Sequence, residues 1–506
     1  MSTRTQNTKR NIVASYGLMV VQMLFQFISR TLIVNVLGEE YLGLSSLFAS
    51  ILTVLNITDL GFTASIVFFM YKPLSDGDED KVCALLAYLR KIYKIVGSVI
   101  LFVGLSILPL IPKIIKGDIP QSVNIYILYC LYLVNTAISY FLFAHKTALL
   151  TAIQRLDLTK MANTVIIVVQ YVLQVIALIY FRNYYLFVGA MIIGSALLNI
   201  FTAYICKRKY PQYECRGELD NETKQNIIIK VKGLLICNIS IVTYKTLDSI
   251  VISHFIGLAS VAIYSNYITI YNTVNSMVVM IRSSMQSSVG DSVASESVEK
   301  NLKDMKLWQF LFSIMATWCM ACLICLYQPF MKVWMGNNML LPFVDVILIG
   351  IWFFIDVVQQ AYYMYLSGTG LWNEMKYSYI FNTCCNLVMN IFLGKVFGIT
   401  GIIMASLITC IISGTFWQCI LLFKHYYRQS AKKYIVTQFL YFCTAGVIVG
   451  IAYNFCSFVT LDGLSEFFVK ALICSIVTML LLFVFYRKNI HYAESKALFE
   501  RIIKRR

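Results

Sequence analysis

Several ionised and strongly polar side chains in this sequence lie inside long apolar runs, where packing alone does not account for them. Ser15, Gln22, Gln26, Ser29 and Arg30 follow one another at intervals of seven, four, three and one, which is one face of a helix. A guanidinium on such a face grips phosphate oxygens through two parallel hydrogen bonds. In the next run Ser46, Ser50, Thr53, Asn56 and Asp59 share a face, and further on Asn238, Lys245, Asp248 and Ser249 do so. Tyr264, Asn266, Tyr267, Tyr271, Asn272 and Asn275 crowd another run. A charge held in a bilayer costs roughly 2.5–3.5 kcal/mol, so these residues are expected to face a water-filled cavity or a partner.

Two kinds of chemistry follow. Arg30, Gln26, Lys245, Asn266, Tyr267 and Asn272 are the candidate substrate-binding residues of a cavity wall. Asp248, Asp59 and Asp356 are the candidates to carry a coupling ion, a proton or Na+. The competing account of the uncharged residues is hydrogen bonding between helices. Lys245 and Asp248, three residues apart, would equally neutralise each other as an ion pair. His254 reads as an interfacial residue. Lys146, Arg155 and Arg282 read as charges that set topology at the cytoplasmic mouth, where they would also add to its positive field. Cys319, Cys322 and Cys325 form a CxxCxxC run, but on a helix they fan over more than one face with no His or carboxylate nearby, so they read as packing thiols and no metal site is expected. No GxxxxGK[ST], HExxH or GxSxG pattern occurs. An ATP motor, a catalytic role and a cofactor are therefore not expected, and active transport would draw on an ion or substrate gradient.

The elements that must position these residues are membrane spans. Of 506 residues, 59% are hydrophobic and 13% charged. A soluble domain carries about 25% charged residues, so lipid must be the solvent for much of this chain. Apolar runs near 11–36, 44–70, 85–111, 121–150, 158–181, 184–206, 233–256, 258–281, 305–328, 342–366, 375–396, 398–423, 434–457 and 465–486 predict an all-α integral membrane protein of about 14 transmembrane helices. The basic residues 1–10 followed by a long apolar run read as the start of a first span, not as a cleaved leader. The net charge of +17 would suggest nucleic acid on a soluble protein. Here about 34 of the 42 Lys and Arg fall on the side shared by the termini, about 6 on the other and about 2 inside spans. That asymmetry predicts cytoplasmic termini, contact with anionic membrane lipids and no nucleic-acid partner.

A short internal repeat organises the chain. Val36-Leu37-Gly38-Glu39-Glu40-Tyr41-Leu42-Gly43-Leu44-Ser45-Ser46 matches Phe255-Ile256-Gly257-Leu258-Ala259-Ser260-Val261-Ala262-Ile263-Tyr264-Ser265 in Gly, aliphatic, small and Ser positions. Six spans separate the two copies, so the halves would be parallel repeats about an axis along the membrane normal. The expected organisation is a first lobe at 1–205 (spans 1–6), a cytoplasmic linker at 206–232 and a second lobe at 233–424 (spans 7–12). A cytoplasmic loop at 425–433, spans 13–14 at 434–487 and a basic tail at 488–506 follow.

The residues from Gly38 to Phe48, then Asp59-Leu60-Gly61-Phe62 and Tyr71-Lys72-Pro73-Leu74, resemble the polysaccharide transporter (Wzx-type flippase) branch of the multidrug/oligosaccharidyl-lipid/polysaccharide (MOP) superfamily. The stretch Ser287-Ser288-Val289-Gly290-Asp291-Ser292 with Glu296, Glu299 and Lys300 is similar to it too. The resemblance implies two six-helix lobes in a V-shaped MATE/MurJ-like fold plus two C-terminal helices, with spans 1, 2, 7 and 8 lining the cleft. It implies alternating-access export of undecaprenyl-pyrophosphate-linked oligosaccharide across a bacterial cytoplasmic membrane, alongside a polysaccharide polymerase and chain-length machinery. Arg30, shortly before Gly38, resembles the cavity arginine of that family. Tyr264, Tyr267 and Tyr271 would offer faces to sugar rings and the apolar tail. A cation-coupled multidrug extruder of the same fold and a lipid II flippase are the alternatives. Proton-coupled extruders resemble one another in a span-1 proline that this chain lacks. A scaffold would not need Arg30, and a polymerase would carry a larger outer loop than any here.

Overall fold

The computed structural model describes residues 2–56, 62–116, 119–120 and 122–495. Among them every regular element is helical. The chain divides into two compact units, Met1–Ala262 and Ile263–Arg506.

The first unit holds α1 (Ser2–Leu37), α2 (Glu39–Leu55), α3 (Phe62–Asp76), α4 (Glu79–Ile107), α5 (Ile111–Ile114), α6 (Ile125–Phe141), α7 (His145–Ala152), α8 (Leu156–Ile179), α9 (Tyr184–Lys209), α10 (Asn221–Phe255) and the start of α11 (Leu258–Ser295). Here α1 packs on α8, α8 on α9, α6 on α4 and α9, and α10 on α2 and α3. Short polar side chains start several helices by accepting from otherwise orphaned amides. Asp78 accepts from Lys81 N at 2.9 Å, Asn124 from Tyr126 N at 3.0 Å, and Asn183 from Tyr185 N at 2.9 Å. Asp220 caps α10 through Thr223 N at 2.7 Å, so this helix begins well before the apolar run that was expected to open at 233.

The second unit continues with α12 (Val298–Met335), α13 (Phe343–Thr369), α14 (Trp372–Cys410), α15 (Cys419–Leu422), α16 (Lys432–Ser457) and α17 (Gly463–Tyr486). α12 is its hub, packing on α13, α16 and α17. Residues Ile411–Gln418 widen into a π-helical turn. Gln359 of α13 inserts there, donating to the carbonyl of Cys410 at 3.1 Å and to Thr415 Oγ1 at 3.2 Å, which accounts for the local widening.

Among the described residues nine helices are long and apolar enough to cross a membrane, or ten if α6 and α7, bent by 52°, count as one broken span. Length and apolarity alone therefore do not reproduce fourteen. One of the nine is the 54-residue stretch Glu374–Tyr427, which would be about 80 Å long if it were one straight helix. Gly398 interrupts it with φ 60° and ψ −136°, at the junction of the two runs expected at 375–396 and 398–423, as the first residue of the second. The run expected at 44–70 is divided between α2 and α3, with residues 57–61 outside the described set. α10 and α11 are not among the nine, and α11 carries the dense set of Tyr and Asn residues that lowers its hydropathy.

The repeated sequence has a repeated conformation. Gly38 lies between α1 and α2 with φ 112°, and Gly257 lies between α10 and α11 with φ 136°. Each amide closes back on the preceding helix: Gly38 N donates to Val34 O at 3.1 Å and Gly257 N to Ile252 O at 3.0 Å. Only glycine reaches such φ values without strain, so each copy allows an abrupt change of direction within one residue.

Candidate functional site

Arg30 is half-buried on α1, and its Nη2 reaches Ser46 Oγ of α2 at 3.5 Å, the long end of hydrogen bonding. Next to Ser46 runs a chain of hydroxyls. Tyr132 donates to Ser45 Oγ at 3.0 Å and shares a 2.9 Å contact with the Tyr184 hydroxyl, which donates to the carbonyl of Tyr41 at 3.3 Å. Gln22 and Gln26 are exposed. Val20 and Leu24, also exposed, lie on the opposite side of the same helix. α1 thus presents two different surfaces, an apolar one suited to acyl chains and a polar one suited to water. Ser29 turns toward α8, beside the stacked pair Phe25 and Tyr171, whose ring centroids are 4.6 Å apart.

Asn56, from the polar face of α2, lines a cavity of about 310 Å³ with Tyr93, Asn135, Thr136, Ser139 and Tyr140. Tyr140 donates to Asn56 Oδ1 at 2.6 Å, and Asn135 and Ser139 accept from Ser195 and Asn199 of α9. The residues contributed by α4 and α6 were not singled out from sequence, because isolated Tyr, Asn and Ser give no spacing signal there. Asp59 lies outside the described residues, as does the side chain of Lys245. Asp248 is buried in α10.

On α11 the candidates separate. Asn272 is exposed, with Ser276 one turn on. Asn266 and Tyr267, both expected in a cavity wall, are wholly buried in this structure. The Tyr267 hydroxyl donates to Gln328 Oε1 at 3.1 Å and accepts from Leu341 N at 3.2 Å, while Tyr327 donates to the Tyr267 carbonyl at 3.0 Å. These contacts tie α11 to α12, the interhelical bonding held open for uncharged residues. Tyr264 and Tyr271 are likewise buried, so their rings are covered by protein. Asp356 of α13 is half-buried, and its Oδ2 accepts from Tyr271 Oη at 2.9 Å and Asn275 Nδ2 at 3.0 Å. Asn275 Oδ1 is buried and accepts no hydrogen bond. A carboxylate held by two donors, beside a spare amide oxygen, has the groups for a proton or a small cation.

The three cations placed near the cytoplasmic mouth have local roles. Lys146 Nζ donates to the carbonyl of Tyr213 at 2.9 Å. Arg155 grips Asp157 through two bonds, at 2.9 and 3.1 Å. Arg282 lies over the Tyr363 ring, 4.9 Å from its centroid. A basic cavity of about 820 Å³ was not anticipated: Lys424, Arg428 and Lys432 share it with Phe416, Ile420 and Ile435.

Long apolar helices carrying polar surfaces define a multi-pass membrane protein. The family profile described as polysaccharide biosynthesis protein matches residues 8–285, more than half the chain. The chain belongs to this family, the branch of the MOP superfamily that its residues resemble. A comparison with curated proteins finds no match. Among solved structures, the fold is similar to lipid II flippase MurJ in an inward closed conformation, with TM-score 0.66, 14% identity, and 95% of this chain and 100% of that chain covered. It is similar to an inward-facing multidrug resistance MATE transporter of the MOP superfamily, with TM-score 0.63, 15% identity and coverage of 81% and 97%. It is also similar to the eukaryotic MATE transporter AtDTX14, with TM-score 0.60, 12% identity and coverage of 86% and 99%. At these identities the likeness is one of fold.

Proposed function

We propose that this protein is a flippase that moves undecaprenyl-pyrophosphate-linked oligosaccharide repeat units across a bacterial cytoplasmic membrane, for surface polysaccharide synthesis. The family match over residues 8–285 carries the reading. In this account the chain crosses the membrane fourteen times with both termini in the cytoplasm. α2 with α3 is one span in two pieces, α10 and α11 are spans carrying polar stripes, and Glu374–Tyr427 is two spans broken at Gly398. Transport proceeds by alternating access, the substrate path opening in turn to either side of the membrane.

Arg30, flanked by Gln26 and Gln22, receives the diphosphate, the one dense anion of the substrate. Asn272 of the second lobe faces the glycan. Asp356 takes up a proton or Na+ and couples the gradient to reorientation, with Asp248 and Asp59 as the other acidic positions. The basic cavity at Lys424, Arg428 and Lys432 attracts anionic headgroups at the cytoplasmic surface. Polymerase and chain-length machinery act on the exported unit.

The test is deletion of the gene followed by lipid analysis. Undecaprenyl-linked repeat units should accumulate on the cytoplasmic leaflet and disappear when the protein is restored. A deletion strain with a normal lipid-linked pool but new sensitivity to cationic drugs would replace this reading with multidrug extrusion. Arrested peptidoglycan synthesis would replace it with lipid II export.

A further inference from the structure

Three helices of the second unit each bring one cysteine to a single point. Cys325 of α12, Cys456 at the end of α16 and Cys474 of α17 are all buried, and their sulfurs lie within 4.8 Å of one another. Cys322, one turn before Cys325, is half-buried and lies beside Cys474. Cys456 Sγ also donates to the carbonyl of Lys470 at 3.6 Å. Among the described residues this is the one group of three or more Cys, His, Asp or Glu side chains brought so close together. The other buried thiols, such as Cys83, Cys206 and Cys419, belong to no such group; Cys83 and Cys206 donate weakly to the carbonyls of Gln212 and Lys146.

We propose that Cys325, Cys456 and Cys474 form a binding site for a soft divalent d10 ion of the Zn2+ type, with Cys322 positioned as a fourth sulfur. Sulfurs around an ion at a Zn–S distance of about 2.3 Å sit roughly 3.8–4.0 Å apart. The cluster needs to contract by less than an ångström to meet that distance. Thiolate sulfur selects Zn2+ and Cu+ over harder ions. Charge decides between these two. Three thiolates leave one net negative charge around a divalent ion but two around a monovalent one, and in a membrane interior the smaller charge is favoured. Lys470 lies one turn from Cys474 on α17, its ammonium paired with Glu466 at 2.6 Å. Binding replaces three S–H bonds by three S–metal bonds and releases three protons to solvent, with no redox change. The bound ion would clamp α16 and α17 onto α12, holding the last two spans against the second lobe.

The experiment uses the full-length protein, purified in detergent, reduced, stripped with a chelator and titrated with Cd2+ as the spectroscopic probe. The expected result is one ion per chain, thiolate-to-cadmium charge-transfer absorption and release of about three protons per ion. The triple change Cys325→Ser, Cys456→Ser and Cys474→Ser should abolish the absorption. Cys384→Ser with Cys443→Ser, which removes two exposed thiols, should leave it intact. A measurement on the unaltered chain guards against a triple variant that does not fold: Zn2+ should protect these three cysteines from alkylation, read residue by residue by mass spectrometry. Absorption that survives the triple change overturns the site. So does alkylation indifferent to Zn2+, or a disulfide between two of the three in protein purified without reductant.

Discussion

In the unit Met1–Ala262 the polar side chains of α1 remain at the surface, whereas in Ile263–Arg506 most of those on α11 turn into their own unit. Gln22 and Gln26 are exposed and Arg30 is half-buried; Asn266, Tyr267, Tyr271 and Asn275 are buried. Packing follows the same division. Only 11% of the apolar window of α1 is buried, against 67% of that of α12. Residues of one chemical type thus do two jobs. A polar residue on a thinly packed helix is available to a ligand, while one facing a hub helix replaces the water it loses with a neighbour's hydrogen bonds. The first unit therefore offers a cationic surface, and the second an acid wired into its framework.

Arg30→Ala tests the first half of that contrast and carries the largest expected effect. Losing two charge-assisted hydrogen bonds to a diphosphate should lower lipid-linked glycan export by roughly 100-fold or more. Arg30→Lys, which keeps a point charge without the planar fork, should restore part of it. Equal, near-normal export by both variants would remove the cationic wall. As the counterpart in the second unit, Tyr267→Phe should leave export nearly unchanged and cost about 1 kcal/mol of stability, seen as a lower melting temperature in detergent. A strong export defect in a normally stable Tyr267→Phe protein would return that residue to the cavity.

Asp356→Asn comes next. The amide oxygen still accepts from Tyr271 and Asn275, so the fold survives while the charge is lost. Export measured in vesicles should fall about tenfold and lose its response to an imposed proton or Na+ gradient. If the variant still responds to both gradients, the carboxylate is only a hydrogen-bond acceptor for α11.

Gly43→Ala sharpens the comparison at the repeated turns. A Cβ on Gly43 would lie 2.1 Å from the carbonyl oxygen of Leu258, so α2 and the start of α11 would have to part. The expected cost is about 1–3 kcal/mol, with a matching fall in melting temperature. Gly38→Ala meets only the tip of Glu40, at 3.0 Å, but must hold φ near 112°, and should cost about as much through strain. An unchanged melting temperature in either variant would show that the turn relaxes freely.

These glycines also show what was legible in the sequence. The repeat was visible because Gly, aliphatic, small and Ser positions recur in order, and backbone conformation follows local residue type. The α1 stripe was visible because helical spacing alone places Gln22, Gln26 and Arg30 on one side. Spacing could not tell whether a neighbouring helix covers a stripe. Tyr267 on α11 looked like the residues of α1, yet Gln328 and Leu341, more than sixty residues away, bury it. The thiol cluster was hidden for the same reason: Cys322 and Cys325 lack partners within their own helix, and Cys456 and Cys474 arrive from α16 and α17. The basic cavity at Lys424 leaves no mark in the sequence, because charges in a connecting loop serve topology whether or not they enclose a space.

The smallest effect concerns acid sensitivity at the two polar ends, where one ion pair is partly sheltered and the other fully in solvent. In the second unit Glu494 accepts from Lys303 Nζ at 2.9 Å and meets His491 Nδ1 at 3.0 Å. The hydrogen bond from Lys303, then that from His491, holds the Glu494 carboxyl below its ordinary 4.5. A carboxylate whose pKa is lowered by folding stabilises the fold above its unfolded pKa and loses that contribution as pH falls through the folded one. Glu494→Gln should therefore lower the melting temperature slightly at pH 7, by an amount equivalent to less than about 1 kcal/mol given the exposure of Lys303. The difference from the unaltered protein should shrink as the pH drops below 4.5. In the first unit Arg216 and Asp80 pair at 3.3 Å with 60% and 90% of their side chains exposed, so Asp80→Asn should change nothing measurable at either pH. A larger loss from Asp80→Asn than from Glu494→Gln would reverse the ranking, because shelter from solvent, not the presence of a pair, is what makes the Glu494 contact count.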